Sequence, residues 1–373
     1  MNMLTVSTPS RICLFGEHLD YLELEVIAAA INLRFYATIS KRNDNLIHIK
    51  IRDERINTLN QSNDSHLYEE KIINLNEPII YDNKRDYLKS SVNILLKQGY
   101  DLNEGFDVVM DSEIPIGKGM SSSSTMIIAL IKALLEAIDS KDKNDPLKIA
   151  RLGFLAEVAE FNEPGGMMDH YTSALGELVH LNFENGDTVV NHIDMKIPGC
   201  FILFDSLERK NTTKVLADAK FPVLKAMAEL KQKGINNIRD FIKDPELLGH
   251  VDNLDPVLSK KLKAAIDNFF ILNEARVMLN DDKFDDVKFG KLITKHHKNL
   301  RDGLDISSTK IEHILHVAMS NGALGGKVNG SGGGGCCFVY AYDKDSEKIL
   351  NAVKKEGYPG KILNQDNGVR RDK

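Results

Sequence analysis

Pro115-Ile116-Gly117-Lys118-Gly119-Met120-Ser121-Ser122-Ser123-Ser124 is the stretch on which the fold turns. Before it, Phe106, Val108 and Met110 alternate with Asp107, Val109 and Asp111, which predicts a strand over Gly105 to Glu113. After it, Ile127, Ile131, Leu134 and Ile138 recur at helical spacing and predict a helix over Ser121 to Ile138. Glycines let a backbone approach a ligand closely. The free N–H groups and positive dipole end of a helix start favour an anion. Serine hydroxyls add donors, and one can ligate Mg²⁺. The same residues also make an ordinary turn and N-cap, and this stretch alone does not separate the two readings. It is not a Walker A loop, because Ser112 stands where that motif's first glycine belongs.

Working outward, the N-terminal segment Pro9-Ser10-Arg11-Ile12-Cys13-Leu14-Phe15-Gly16-Glu17-His18-Leu19-Asp20-Tyr21 reads as a short apolar strand. It delivers a glycine and then Glu, His, Asp and Tyr, groups that hydrogen-bond sugar hydroxyls. A solvated turn is the plain alternative, and a metal site is disfavoured because consecutive turn residues seldom converge on one ion. Ile47, Ile49 and Ile51 alternate with polar residues and predict another half-buried strand. Asp145-Pro146 predicts a helix start, with Leu147, Phe154, Val158 and Phe161 buried and an end near Pro164-Gly165. Asp169 follows that proline-glycine turn and serves either as a helix cap or as a general base. Leu178 to Phe183 and Thr188 to Asp194 predict a hairpin around Asn185-Gly186, and Cys200 to Phe204 a buried strand.

Beyond Asp205, Phe221 to about Leu300 reads as helical and charged. Gly330-Ser331-Gly332-Gly333-Gly334-Gly335 then precedes a strand, Cys336 to Tyr342. It contains GxGxxG, but a dinucleotide site needs a helix after it, not a strand. Close packing against a ligand or another loop competes with a flexible turn. His296-His297 is expected on a solvated helical face, since adjacent histidines on a helix point in different directions.

Composition narrows the classes. The 373 residues suit two domains, with a boundary expected at 195/196 near Pro198-Gly199. Charge sums to 48 basic minus 54 acidic, or −6, against a broad nucleic-acid surface. Four cysteines without a CxxC pair argue for buried thiols in a reducing compartment rather than a zinc site. No apolar run approaches the ~18 residues of a membrane helix, and no secretion signal is read at Met1 to Arg11. A cytoplasmic protein with no nucleic-acid or membrane partner is expected.

Taken together, the order and spacing of these segments resemble the GHMP kinase superfamily over nearly the whole chain, and galactokinase most within it. Arg11 to Tyr21 is similar to that family's "PGRVNLIGEHTDY", Pro115 to Ser124 to "PxGxGLSSSA", and Gly166-Met167-Met168-Asp169 to "GIMDQ". Glu157 lies twelve positions before Asp169, as in the family. Gly290, His297, Leu300-Arg301-Asp302 and Val328 to Cys336 follow the C-terminal pattern, and Tyr87 and Val92 faintly match a segment near the adenine pocket.

The resemblance implies an α/β (α+β) two-domain fold. Residues 1–195 would form a domain similar to ribosomal protein S5 domain 2, and residues 196–373 a ferredoxin-like domain. It implies ATP and Mg²⁺ as cofactors and a small-molecule sugar as partner. Gly117, Gly119, Ser121, Ser122, Ser123, Gly332 and Gly333 would bind ATP, with Ser122 or Ser123 and Glu157 on the metal. Glu17, His18, Asp20 and Gly166 would bind sugar. Asp169 would accept or orient the anomeric hydroxyl proton, and Arg11 would neutralise developing charge.

Departures from the pattern are Ser10 for Gly, Ser124 for Ala, His170 for Gln, no Trp at all with Lys84 near the spot where galactokinases often carry one, and no Tyr in Leu207 to Thr213 where galactokinases carry a sugar-contacting one. Galactose is the leading substrate. Arabinose, galacturonate, N-acetylgalactosamine, a heptose or mevalonate are alternatives, as is a non-catalytic sugar and ATP sensor.

Overall fold

The computed structural model describes residues 3–52, 68–115, 118–184, 187–209, 211–281 and 283–372. Gly117 and the turn expected at Asn185-Gly186 lie outside them. Two sheets organise the chain.

The larger sheet is built from β1 (Leu4–Phe15), β2 (Val26–Lys41), β3 (Leu46–Arg52), β4 (Tyr68–Asn74), β5 (Phe106–Ser112), β6 (Leu178–Glu184) and β7 (Asp187–His192), closed at one edge by the C-terminal β12 (Arg370–Arg371). Its order is β12-β1-β2-β5-β3-β4, and β6 pairs with the first residues of β2 and with β7. All pairings are antiparallel except β3 with β5. The alternation read in the sequence sets the faces. Phe106, Val108 and Met110 are buried on β5 while Val109 is exposed, and Ile47 and Ile49 are buried on β3.

Helices α1 (Tyr87–Lys97) and α3 (Pro146–Phe154) pack on α2 (Ser122–Ala137), which with α4 (Met168–Leu175) packs against this sheet. Ile127, Leu130, Ile131 and Leu134 of α2 are fully buried, and truncating such a residue to Ala costs about 2–5 kcal/mol. Asp145 caps α3 by accepting from the Lys148 N–H, with Pro146 in the first turn. One expectation fails there: Leu147 is 45% exposed. The inward face of α3 is Ile149, Ala150, Leu152 and Gly153, and Leu147 sits in the first turn on the opposite side.

The second sheet, β11-β8-β10-β9, comprises β8 (Cys200–Asp205), β9 (Gly325–Val328), β10 (Cys336–Ala341) and β11 (Gly360–Leu363), all antiparallel. The expected boundary at 195/196 falls between β7 and β8. Period-two alternation gives this sheet two buried faces. Phe201, Leu203, Phe338 and Tyr340 join the main core with Phe289, while Ile202, Phe204, Cys337 and Val339 meet Ile311, Ile314 and Ile349. The longer helices are α5 (Thr212–Lys231), α6 (Pro256–Leu279), α7 (Asp286–Asp302), α8 (Thr309–Ser320) and α9 (Asp343–Lys355). The helical region thus starts at Thr212, ahead of the expected Phe221, and α5 carries Pro222 in its interior. A third apolar cluster joins α5 and α6 to Leu19 and Leu24 just after β1. All four cysteines are buried, and none of them forms a disulfide.

The histidine pair is a second correction. His296 and His297 are buried, not solvated. His297 Nε2 donates to Glu312 (2.8 Å), and its Nδ1 accepts the Val328 N–H (3.3 Å). His296 packs near Phe15, and burial pushes its pKa well below the ordinary histidine value.

Candidate active site

A cavity of about 530 Å³ opens where the end of β1, the start of α2, the α3–α4 connection, α5 and the β9–β10 loop meet. Its chemistry has three parts.

The first is the start of α2. Gly119 takes φ +84 and Ser121 takes φ +55. Ser121 is the N-cap but makes no side-chain cap, and its buried hydroxyl has no partner. A helix start without a cap, beside an unpaired buried hydroxyl, is a ready anion site. The glycine-rich β9–β10 loop packs onto this one. A Cβ on Gly330 would lie 2.5 Å from the Gly119 carbonyl oxygen, and one on Gly335 2.4 Å from that of Lys118. Both glycines have positive φ. Gly330 and Ser331 line the cavity. Gly332 and Gly333 instead turn toward Ile306 and Val215, and the Gly333 N–H donates to the Ile306 carbonyl (2.7 Å).

The second part is an ion pair. Arg11, on β1 and almost fully buried, reaches Asp169 in the first turn of α4. Arg11 Nη2 and Nε lie 2.6 and 2.7 Å from the same Asp169 oxygen, and Nη1 donates to the Gly119 carbonyl (3.1 Å). One guanidinium thus touches both the carboxylate and the phosphate loop. Its own pKa is raised: burial opposes the charge, but Asp169 and Glu17 more than offset it.

The third part is the carboxylate-rich floor. The Met168 N–H donates to Asp20 (3.4 Å), and a Cβ on Gly166 would lie 1.9 Å from the same Asp20 oxygen, so only glycine fits there. Burial, then Asp169, push the Asp20 pKa up to about 6. Glu17 pairs with Lys327 (2.5 Å), both buried. His18 Nδ1 bonds the Tyr21 hydroxyl (2.7 Å) and Nε2 the Ser331 carbonyl (3.1 Å).

Beside the loop, Glu157 is buried, and its hydrogen bonds, chiefly from His170, outweigh burial and hold its pKa below the ordinary value. Ser123 donates to it at 2.5 Å. Among the described residues no three His, Cys, Asp or Glu side chains are arranged so that they could hold a metal ion on their own. A divalent cation here would therefore draw most of its ligands from phosphate and water, as Mg²⁺ does. An ionised buried carboxylate next to serine hydroxyls fits that ion.

Arg85, outside the sequence reading, and Tyr87, there only a faint match near the adenine pocket, also line the cavity. Arg85 donates two bonds of 2.9 Å to Glu163, and Tyr87 one of 2.5 Å. Thr212 and Leu216 of α5 also line the cavity. Lys220, one turn further on, holds its ammonium 5.2 Å from the Tyr21 ring centroid, and no ion pair engages it among the described residues. Asn329 accepts the Cys13 N–H (3.1 Å) and donates to the Gly119 carbonyl (3.0 Å).

Comparison with known proteins decides the family. Residues 86–177 match the N-terminal domain of GHMP kinases, residues 282–359 their C-terminal domain, and residues 2–41 the galactokinase galactose-binding signature. The chain belongs to the GHMP kinases. This GHMP kinase is 27% identical over 369 residues to a mevalonate kinase of Thermococcus onnurineus, covering 98% of this chain and 97% of that one. It is 26% identical over 382 residues to a galactokinase of Staphylococcus carnosus, covering 96% and 92%. The Lactococcus lactis galactokinase solved with galactose superposes with a TM-score of 0.80 at 20% identity, covering 99% of this chain and 95% of that one. The Methanococcus jannaschii mevalonate kinase gives 0.72 at 21%, covering 98% and 99%. At those identities the superpositions speak to fold alone. No helix among the described residues is long and apolar enough to cross a membrane.

Proposed function

We propose that this GHMP kinase transfers the γ-phosphoryl group of ATP to the anomeric hydroxyl of a monosaccharide, with galactose the leading acceptor. The observation that carries the reading is the Arg11–Asp169 pair, set between the α2 start and the Asp20 floor and touching Gly119. Galactokinases among the relatives and the galactose-binding signature over residues 2–41 support the sugar as acceptor.

In this reading Asp20, Glu17, His18 and the Gly166 backbone hold the sugar. Asp169 accepts the hydrogen bond of the anomeric hydroxyl and takes or orients its proton as the oxygen attacks phosphorus and the bond to the ADP oxygen breaks. Arg11 keeps Asp169 aimed and offsets charge developing on the transferred group. Ser121, Ser122 and the N–H groups of the α2 start hold the phosphates, and Gly330 with Ser331 closes over them. Mg²⁺, held by Glu157 with Ser122 or Ser123, would supply charge neutralisation on the phosphates.

ADP release with Mg-ATP against galactose, arabinose, galacturonate, N-acetylgalactosamine, mannose, fucose and mevalonate tests the proposal. One sugar turns over strongly, and Asp169→Ala lowers turnover by at least about 100-fold. Silence across the panel with ATP still bound, or Asp169→Asn retaining wild-type turnover, would sink it.

A second reading, an acceptor carrying a carboxylate, draws on Lys220, whose ammonium faces Tyr21 without an ion-pair partner among the described residues, and on the mevalonate kinase relatives. Selective turnover of galacturonate or mevalonate, lost in Lys220→Ala, would favour it over galactose.

A further inference from the structure

Glu157 sits in a π turn, Leu155–Ala159, at the end of α3, a distortion that often re-aims a functional side chain. Its carboxylate is gripped from two helices. Oε1 accepts from Ser123 (2.5 Å), while Oε2 accepts from Ser124 (2.6 Å) and from His170 Nε2 (2.8 Å). Ser124 is 2% exposed and His170 1%. Ser123 and Ser124 are consecutive in the first turn of α2, and His170 follows Asp169 in α4. The His170 tautomer follows from its surroundings. Its Nδ1 is buried with no partner, and Oε2 of an ionised carboxylate can only accept. Nε2 therefore carries the proton and donates to Oε2.

A carboxylate offers about four lone-pair sites, two on each oxygen. Both sites on Oε2 are taken by Ser124 and His170. On Oε1 one is taken by Ser123 and one is left. Ser124 and His170 are also the two positions, in the phosphate loop and beside Asp169, where the sequence departs from the pattern it resembles. They converge on one atom.

We propose that Ser124 and His170 are positioning residues that occupy Oε2 of Glu157 and thereby present Oε1, alongside Ser123, as a single monodentate ligand for the divalent cation. This rests on the reading of Glu157 as a cation ligand. Neither residue donates to the nucleotide or the ion. Their effect is to fix the carboxylate's rotation, and outer partners of this kind change metal affinity by about 10–100-fold when removed.

The test is Mn²⁺ binding to the full chain in the presence of a non-hydrolysable ATP analogue, followed by electron paramagnetic resonance. Mg²⁺ dependence of ADP release is measured beside it. Ser124→Ala and His170→Phe each weaken Mn²⁺ binding by about 10-fold, and the double variant weakens it by less than the product, because the two donors share one oxygen. His170→Gln, which keeps a donor, retains most of the affinity. The sugar KM changes little in all of them, which separates the effect from a general disturbance of α4 around Asp169. Glu157→Gln provides the reference. If it loses Mn²⁺ affinity while Ser124→Ala and His170→Phe bind as the wild type does, the positioning role is wrong. If Glu157→Gln itself binds Mn²⁺ unchanged, Glu157 is not a ligand and the inference falls with that reading. Thermal unfolding of each variant, with His170→Gln as the conservative control, separates loss of fold from loss of ligand.

Discussion

Asp20 and Asp169 share one cavity wall, and the cost falls on Asp20. Burial first, and Asp169 second, raise its pKa to about 6 from an ordinary value of 3.8. The sign follows. Below the unfolded value both states are protonated and no penalty exists; above about 6 the folded protein carries a buried charge that the unfolded chain would hold in water. Asp20→Asn should therefore stabilise the protein at pH 7.5, by on the order of 3 kcal/mol, and leave it unchanged at pH 3.5. Activity should move the other way. Protonation removes an acceptor for a sugar hydroxyl, so kcat/KM should fall as pH drops through about 6 and Asp20→Asn should abolish that inflection at a lower plateau. A pH–rate profile that keeps the inflection in the variant would assign it to another group. A site residue that destabilises its own fold is the usual compromise between activity and stability.

At the scale of elements, the start of α2 is the most constrained point in the site. Ser121 holds a left-handed φ of +55 as N-cap, a conformation that costs a non-glycine residue about 1–2 kcal/mol. Its orphan hydroxyl suggests what the position is kept for. Ser121→Gly should hold or raise Tm while raising the KM for ATP about 10-fold, the worth of a hydrogen bond to a charged group. Ser121→Ala should raise that KM without the gain in Tm. An unchanged KM in both would remove the hydroxyl from the phosphate site.

This element was legible in the sequence because its signals are local: alternation before the loop, helical spacing after it, and glycines and serines between. The same held for the Asp145-Pro146 cap and the hairpin strands. What failed was also local reading. Spacing placed Leu147 on the apolar face, although a first-turn residue can point away from the core. Adjacent histidines suggested solvent because nothing nearby in sequence announces that the β9 segment and Glu312 will cover them. Lys327 and Asn329 lie more than 200 positions from the groups they bind, so no periodicity could point to them. Ser124 and His170 were visible only as departures from a pattern. Their common target emerged once α2, α3 and α4 were packed together.

Over the whole molecule, the two sheets are joined at the site itself. Lys327, on β9 of the second sheet, is fully buried and donates to both Glu17 and the Cys13 carbonyl at the end of β1. Asn329 ties the same end of β1 to the Gly119 carbonyl. Behind them the C-terminal tail returns to the first sheet. β12 pairs with β1, and Arg34 binds Asp366 (2.7 Å) and the carbonyls of Asn367 and Gly368. A substrate site assembled from both sheets cannot form in either alone, so its integrity reports on their union. Lys327→Met would take from the buried Glu17 its ion-pair partner, a change that costs about 3–5 kcal/mol, and should lower Tm markedly. Adding Glu17→Gln to that variant should recover much of the loss, because it removes the uncompensated charge. Glu17→Gln alone should also be destabilising, since it strands Lys327. Thermal unfolding of the four proteins closes the cycle. Additive losses in the double variant would mean that the pair contributes packing rather than charge compensation, leaving the Asn329 hydrogen bonds as the polar tie between the two sheets at this point.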